Sequence, residues 1–305
     1  MHTNVAISCS IDDLVELVES IDNRVEVSDY REPVNLVGFS PINLTKEKTI
    51  TWMRLQEIDW TSIKAKVIVC QDGLVHPDGL PILFVYSSDP RLLFAKLMAA
   101  LLPKRESTLI HPTAVIGRNC SIGNGCYIGA YSVIGDNVTI GDDTEIHQHV
   151  TISGSVSIGS RCLIKSGSII GEEGFGFATA MDGTPIRIPH IGSVVIENDV
   201  EIGALNTICS GTLTPTLLES DVKLDDHVHV AHNVIIRRKT LITACVEISG
   251  SVEIGERVWI GPNSTVIDNI TIGTDAFIGA GDNILRSIPA NSKVIGLPSK
   301  IRKGT

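Results

Sequence analysis

Isoleucine recurs at every sixth position from Ile110 through Ile116, Ile122, Ile128, Ile134, Ile140, Ile146, Ile152, Ile158 and Ile164 to Ile170. The column two residues earlier is small or β-branched: Ala114, Cys120, Cys126, Ser132, Val138, Thr144, Val150, Val156, Cys162 and Ser168. Positions two apart on a strand share a face, so both columns point inward and fill a narrow interior. A six-residue period cannot follow a helix of 3.6 residues per turn, but it matches one short strand plus one corner of a β-helix. Three hexads make a triangular coil of 18 residues. Glycine follows directly at 117, 123, 129, 135, 141, 159 and 171, supplying a residue without Cβ beside each corner. The period returns at Ile196, Ile202 and Ile208, and again from Leu224 through Val230, Ile236, Ile242, Ile248, Ile254, Ile260, Val266, Ile272 and Ile278 to Ile284, for about eight coils. The phase slips twice, between 170 and 196 and between 208 and 224. Two loops are therefore expected to leave the coil, within 171–195 and 209–223. The first carries Gly171-Glu-Glu-Gly-Phe-Gly-Phe177, whose glycines and Phe175 and Phe177 suit a ligand-facing loop.

Residues 1–106 lack the period. Apolar spacing predicts a helix over Ile11–Ser20, strands over Lys48–Met53, Lys64–Cys70 and Ile82–Tyr86, and a helix over Pro90–Leu102. The expected organisation is mainly β: a small α/β domain at 1–106, a parallel β-helix at 107–290, and a short tail at 291–305. The longest apolar run, Leu92–Leu102, is broken by Lys96 and is too short to span a membrane. The start, Met1-His2-Thr3-Asn4, lacks the features of a secretory signal, so a cytoplasmic protein is expected. A net charge of −10 and 4% aromatic residues argue against a nucleic-acid surface. Seven cysteines without a CxxC pair argue against a disulfide framework or zinc ribbon, and no metal site is expected.

Candidate chemistry concentrates in Asp225-Asp226-His227-Val228-His229-Val230-Ala231-His232-Asn233-Val234. Val230 points inward, so His232 lies at a corner or on the outward face that follows. One coil further on is Gly250, whose backbone N–H should sit one rung above His232, about 4.8 Å away. A base beside a backbone donor is the minimum equipment for acyl transfer. The alternative is that His232 is a polar corner residue.

The 224–234 segment, together with Gly171–Phe177, Ile188-Pro189-His190-Ile191-Gly192 and Val200-Glu201-Ile202-Gly203, resembles the UDP-3-O-acylglucosamine N-acyltransferases of lipid A assembly. The resemblance implies a left-handed β-helix after an α/β domain, a homotrimer with sites between prisms, His232 as general base, Gly250 as oxyanion donor and Asp225 as the acid supporting the histidine. It also implies nucleotide-sugar binding by Trp52, where an aromatic would stack on the base, and by Phe175, Phe177 and His229. Leu55 and Ile58 stand where that family has asparagine and tyrosine, and Cys209-Ser210-Gly211 replaces its acidic-basic-glycine turn. After Gly296-Leu297-Pro298-Ser299-Lys300-Ile301-Arg302-Lys303 the family's C-terminal helices that engage acyl carrier protein are expected to be missing.

Two basic clusters, Arg237-Arg238-Lys239 and Lys300 with Arg302 and Lys303, either bind the phosphates of coenzyme A or are solvated corner charges. The reading is an N-acyltransferase without bound cofactor. It would move an acyl group from a pantetheine thioester, acyl-CoA in preference to acyl carrier protein (ACP), to a nucleotide-linked amino sugar of surface polysaccharide or glycolipid synthesis, on UDP or dTDP. The lipid A enzyme with acyl-ACP is the alternative. Readings of another class are a scaffold, or a zinc hydratase resembling the gamma carbonic anhydrases and using His190, His227 and His232, although the phase slips are expected to spoil the stacking of His190.

Overall fold

The computed structural model describes residues 7–29, 32–54, 58–103 and 109–296. They fall into two compact units, Met1–Arg105 and Glu106–Thr305. In the first, helix α1 (Ile11–Ile21) starts at a capping box in which Ser10 and Asp13 satisfy each other's backbone donors. Helix α2 (Pro90–Leu101) starts with Asp89 as cap and proline at its first turn. Strand Glu26–Val27 pairs antiparallel with Leu83–Ser87, and Val67–Gln71, Thr49–Met53 and Gly38–Phe39 continue the sheet in parallel. Strand alternation sorts the side chains. Ile50, Val67, Val69, Leu83 and Val85 join the cluster that holds both helices, while Met53, Ile68, Cys70 and Phe84 build a second cluster.

The second unit is a parallel β-helix whose three faces have ten, nine and eight strands. Most strands are two residues long, and each inward isoleucine pairs with the one a coil away, as Ile128 does with Ile146 and Ile248 with Val266. Both inward columns are buried in one continuous cluster running from Cys126 to Ile284. Each fully buried Ile, Val or Leu there contributes about 1.5–3 kcal/mol.

The corners work differently from the expectation. The residue three after most inward positions holds a positive φ, between 55° and 64° where it is not glycine, and asparagine or aspartate often fills it, as at Asn119, Asn137, Asp143, Asp199, Asn233, Asn263 and Asp275. These short side chains tolerate the left-handed region best after glycine. The glycines directly after isoleucine serve stacking instead. A Cβ on Gly117 would lie 2.5 Å from the carbonyl carbon of Gly135 and 2.6 Å from the nitrogen of Asp136 in the next coil.

The register also corrects the hexad count. Leu218 and Val294 are ladder positions, paired with Ile196 and Ile278. The second loop is correspondingly shorter than 209–223: strand Thr207–Ser210 ends it on one side and Thr216–Leu218 on the other. The first loop leaves after Ile169–Glu173, forms a hairpin of Phe177–Thr179 with Pro185–Arg187, and returns at Val194.

The register makes a direct test. Leu218→Ala, at a fully buried inward position, should cost about 2–5 kcal/mol in urea unfolding, whereas Leu217→Ala, on the outward side, should cost less than about 1 kcal/mol. Equal costs would contradict the observed register.

Candidate functional site

Both loops, His232 and Gly250 occupy the same corner of four consecutive coils, because the inward residues before them, Ile170, Ile208, Val230 and Ile248, form one ladder. Asn233 sits in the left-handed corner conformation, φ 61°. Its Oδ1 accepts from Thr212 N–H at 3.2 Å and Thr212 Oγ1 at 2.9 Å, and its Nδ2 donates to Thr214 O at 3.2 Å and Thr214 Oγ1 at 2.9 Å. This pattern fixes which end of the amide faces His232, so the 2.9 Å contact between His232 Nδ1 and Asn233 Oδ1 requires Nδ1 to carry the proton. The lone pair of the neutral ring is then at Nε2, the arrangement a general base needs.

Gly250 lies directly against that imidazole. A Cβ there would fall 2.6 Å from His232 Cε1 and 2.8 Å from Nε2, so only glycine fits. At several equivalent corners the backbone donor two residues after the inward position is capped by a side-chain oxygen: Arg118 N–H by Asp136, Asn124 by Asp142, Ser160 by Asn198 and Ala204 by Asp226. Gly250 N–H has no such acceptor among the described residues. The residue one coil on, Asp268, accepts instead from Asn269 Nδ2 at 2.6 Å. Beside His232 opens a cavity of about 380 Å³, bordered by Glu173, Phe175, Cys209, His229, Glu247 and Gly250 among others. Burial, and then the charge of Glu172, push the Cys209 thiol up, which keeps it protonated and a poor nucleophile at neutral pH.

His190 joins this corner, against the expectation that the phase slips would separate it. Its ring centroid is 5.0 Å from that of His232, edge to face. It is 7% exposed, Nδ1 contacts Ile188 O at 3.0 Å, and Nε2 is buried without a partner among the described residues. Gly174 of the first loop packs on both rings, since a Cβ there would lie 3.0 Å from His232 Cβ and 3.1 Å from His190 Nε2.

The other expected residues disperse. Asp225 follows the inward Leu224 on a different face, is exposed, and accepts from Asp226 N–H at 2.8 Å; within the chain the partner of His232 Nδ1 is Asn233. His227 is an exposed corner residue, φ 61°. Among the described residues no three His, Cys, Asp or Glu side chains converge as metal ligands. Phe175 borders the cavity and is 86% exposed. Phe177 packs on Phe175 at 4.8 Å and under the Arg187 guanidinium at 5.2 Å. Trp52 alternates to the same side of the sheet as Ile50, half-buried, with its ring 6.4 Å from that of Phe94 on α2, so core packing accounts for it without a nucleobase. The aromatic residues of the opposite side are Trp60, Phe84 and Tyr86, with His76 stacked on Phe84 at 3.8 Å and bonded to the Tyr86 hydroxyl at 2.9 Å.

The arginines expected to meet phosphate are already engaged. Arg237 bonds Glu219 at 2.7 Å and Glu253 at 2.7 Å, and Arg238 lies 3.8 Å from Glu219 and 3.6 Å from Glu256. Lys239 is an exposed corner residue, φ 61°, and Lys300 lies outside the described residues, with Arg302 and Lys303. No described helix is long and apolar enough to cross a membrane.

A profile of the bacterial transferase hexapeptide family (six repeats) matches residues 105–136, 137–172 and 251–281. A UDP-3-O-acylglucosamine N-acyltransferase from Coxiella burnetii is 37% identical over 208 residues, covering 62% of this chain and 60% of that protein. The chain thus spans about three fifths of that relative's length. Among solved structures, LpxA from Acinetobacter baumannii aligns with a TM-score of 0.57 at 29% identity, over 63% of this chain and 72% of that one. The UDP-N-acetylglucosamine O-acyltransferase of Moraxella catarrhalis aligns with a TM-score of 0.53 at 26% identity, over 58% and 67%.

The Glu219 carboxylate is 11% exposed. Burial pushes its pKa up, but the hydrogen bonds from Arg237 and Arg238 outweigh it and the net shift is downward. A depressed folded pKa contributes stability that is complete above the ordinary glutamate range, about 4.3, and is lost as pH falls through the folded value. Glu219→Gln should therefore melt below wild type at pH 7, and the gap should narrow as pH drops from about 4.3 toward 3. A gap of constant width in thermal melts across that window would contradict this account.

Proposed function

We propose that this chain, of which three stretches match the bacterial transferase hexapeptide family, is an N-acyltransferase that moves an acyl group from a pantetheine thioester to the amine of a nucleotide-linked amino sugar. The observation that carries the reading is His232, with Nδ1 committed to Asn233 and the ring laid on Gly250, whose N–H is uncapped. The amine lone pair attacks the thioester carbonyl carbon while His232 Nε2 takes a proton from the nitrogen. Gly250 N–H meets the oxyanion as it forms. Collapse of the tetrahedral species breaks the carbon–sulfur bond, and the imidazolium returns its proton to the departing thiolate. The protonated Cys209 thiol agrees with direct transfer rather than an acyl-enzyme.

The names of the relatives support UDP-linked glucosamine as the acceptor class over a dTDP sugar. The donor is acyl-CoA or acyl-ACP. Arg237 and Arg238, committed to glutamates, lend coenzyme A phosphates no support, so the pantetheine arm common to both donors is the part the site must recognise. A homotrimer agrees with the aligned outward ladder of Leu241, Trp259 and Phe277, which is 39%, 38% and 39% exposed and leaves apolar surface on one face. A nucleotide sugar and a pantetheine thioester are both cytoplasmic metabolites, which is where we place the protein.

His232→Ala should lower kcat by about 10²–10⁴-fold, with KM and melting temperature little changed. Asn233→Ala should fall between this variant and wild type, because Nδ1 is no longer held. Chelators should leave the rate unchanged. The assay is transfer to UDP-3-O-acylglucosamine from acyl-CoA and from acyl-ACP in parallel, and full activity of His232→Ala with either donor would overturn the mechanism.

A further inference from the structure

The cavity beside His232 contains a carboxylate that no lysine or arginine among the described residues answers. Glu173, at one edge, is ion-paired with Arg187 at 3.1 Å. Glu247, in the outward position of the strand Glu247–Ile248, is half-buried, and Ser249 Oγ sits 3.3 Å from each of its oxygens. Among the described residues no lysine or arginine pairs with it. The remaining titratable groups of the cavity wall are His229, which is in register with Glu247 one coil away, His232, and the protonated thiol of Cys209. With Glu173 paired to Arg187 and the Cys209 thiol protonated, Glu247 is the carboxylate of the cavity wall that no lysine or arginine among the described residues answers, three residues before the Gly250 donor.

An alcohol gains little from such a charge. A sugar amine, like an α-amino group, is substantially protonated near neutral pH and gains a charge-assisted bond. On the basis of the acyl-transfer reading, we propose that Glu247 recognises the ammonium form of the acceptor and so selects an amino sugar over its hydroxyl counterpart. The bound ammonium first releases one proton to water through the cavity mouth. The free amine then forms the carbon–nitrogen bond, His232 takes the second proton, and that proton leaves on the thiol, so each turnover yields amide, thiol and one proton in solution. Because holding the ammonium stabilises a form that must be deprotonated before attack, the interaction tightens acceptor binding and does not speed turnover.

The test compares UDP-glucosamine with UDP-glucose, which differ only in the amine or hydroxyl at C2, by titration calorimetry on the full chain at pH 6.5. Wild type should bind the amino sugar about tenfold more tightly, a charge-assisted bond's share. Glu247→Gln should bind both alike, with affinity for UDP-glucose and melting temperature unchanged. Asp268→Asn, which removes a charge bonded to Asn269, should keep the preference. The proposal is overturned if wild type binds the two sugars alike, if Glu247→Gln keeps the preference or loses both ligands equally, or if Asp268→Asn abolishes the preference as fully. Wild-type protein that prefers the amine but acylates no amino sugar would leave Glu247 in its role and remove the transferase reading. Wild type that binds neither sugar at millimolar concentration would overturn both.

Discussion

The structure of the second unit depends on one constraint, the lateral hydrogen-bond register that sets each residue above the one a coil away. Two-residue strands have no stability of their own; they persist because every rung is bonded to the next and buries its isoleucine in the same column. Once that register is set, a side chain on one coil has a fixed neighbour on the next. The stacked pair His232 and Gly250 is a particular case of this, as are the pairs Arg118–Asp136 and Arg257–Asp275 on the outside. The fold places the imidazole against the glycine through backbone periodicity, with a loop needed only to orient one ring.

That loop is where the period fails. The insertions after Glu173 and after Ser210 are expelled at the corner that His232 and Gly250 share, one coil apart from each other, so residues distant in sequence meet there. Thr212 and Thr214 lock the Asn233 amide, and His190 folds back onto His232. Neither interaction adds strands to the solenoid. Their effect is to replace solvent around one imidazole with fixed partners, which is what a base with a defined tautomer requires.

How much of this was legible in the sequence follows from the same constraint. Wherever the 18-residue period runs unbroken, arithmetic on residue numbers is as good as a contact map, and it puts Gly250 over His232. The same step from His229 leads to Glu247, and one coil back from Arg237 leads to Glu219. Both follow from the repeat, yet charge counted without its stacked neighbours made Arg237 and Arg238 look available. Across the slips the arithmetic stops, and nothing in the numbers 190, 212 or 214 points to His232. Asp225 was carried by resemblance onto a face that the register turns away from His232. In the first unit, Trp52 is fixed by strand parity under α2, a packing relation that motif comparison does not see.

The capped corners give the site a further meaning. Where Asp136, Asp142, Asn198 or Asp226 reaches back to a backbone N–H, the fold gains a hydrogen bond it can use only for itself. Gly250 forgoes that bond and also has the conformational freedom of a residue without Cβ. Selection for thermal stability alone would close this corner with a reaching side chain on the next coil, and the protein would become a more rigid solenoid with nothing left to offer an oxyanion. Sequences drifting along that route would keep every isoleucine of the repeat. In this architecture, loss of function and gain of stability can therefore be one and the same substitution, invisible to any measure of how well the fold is preserved.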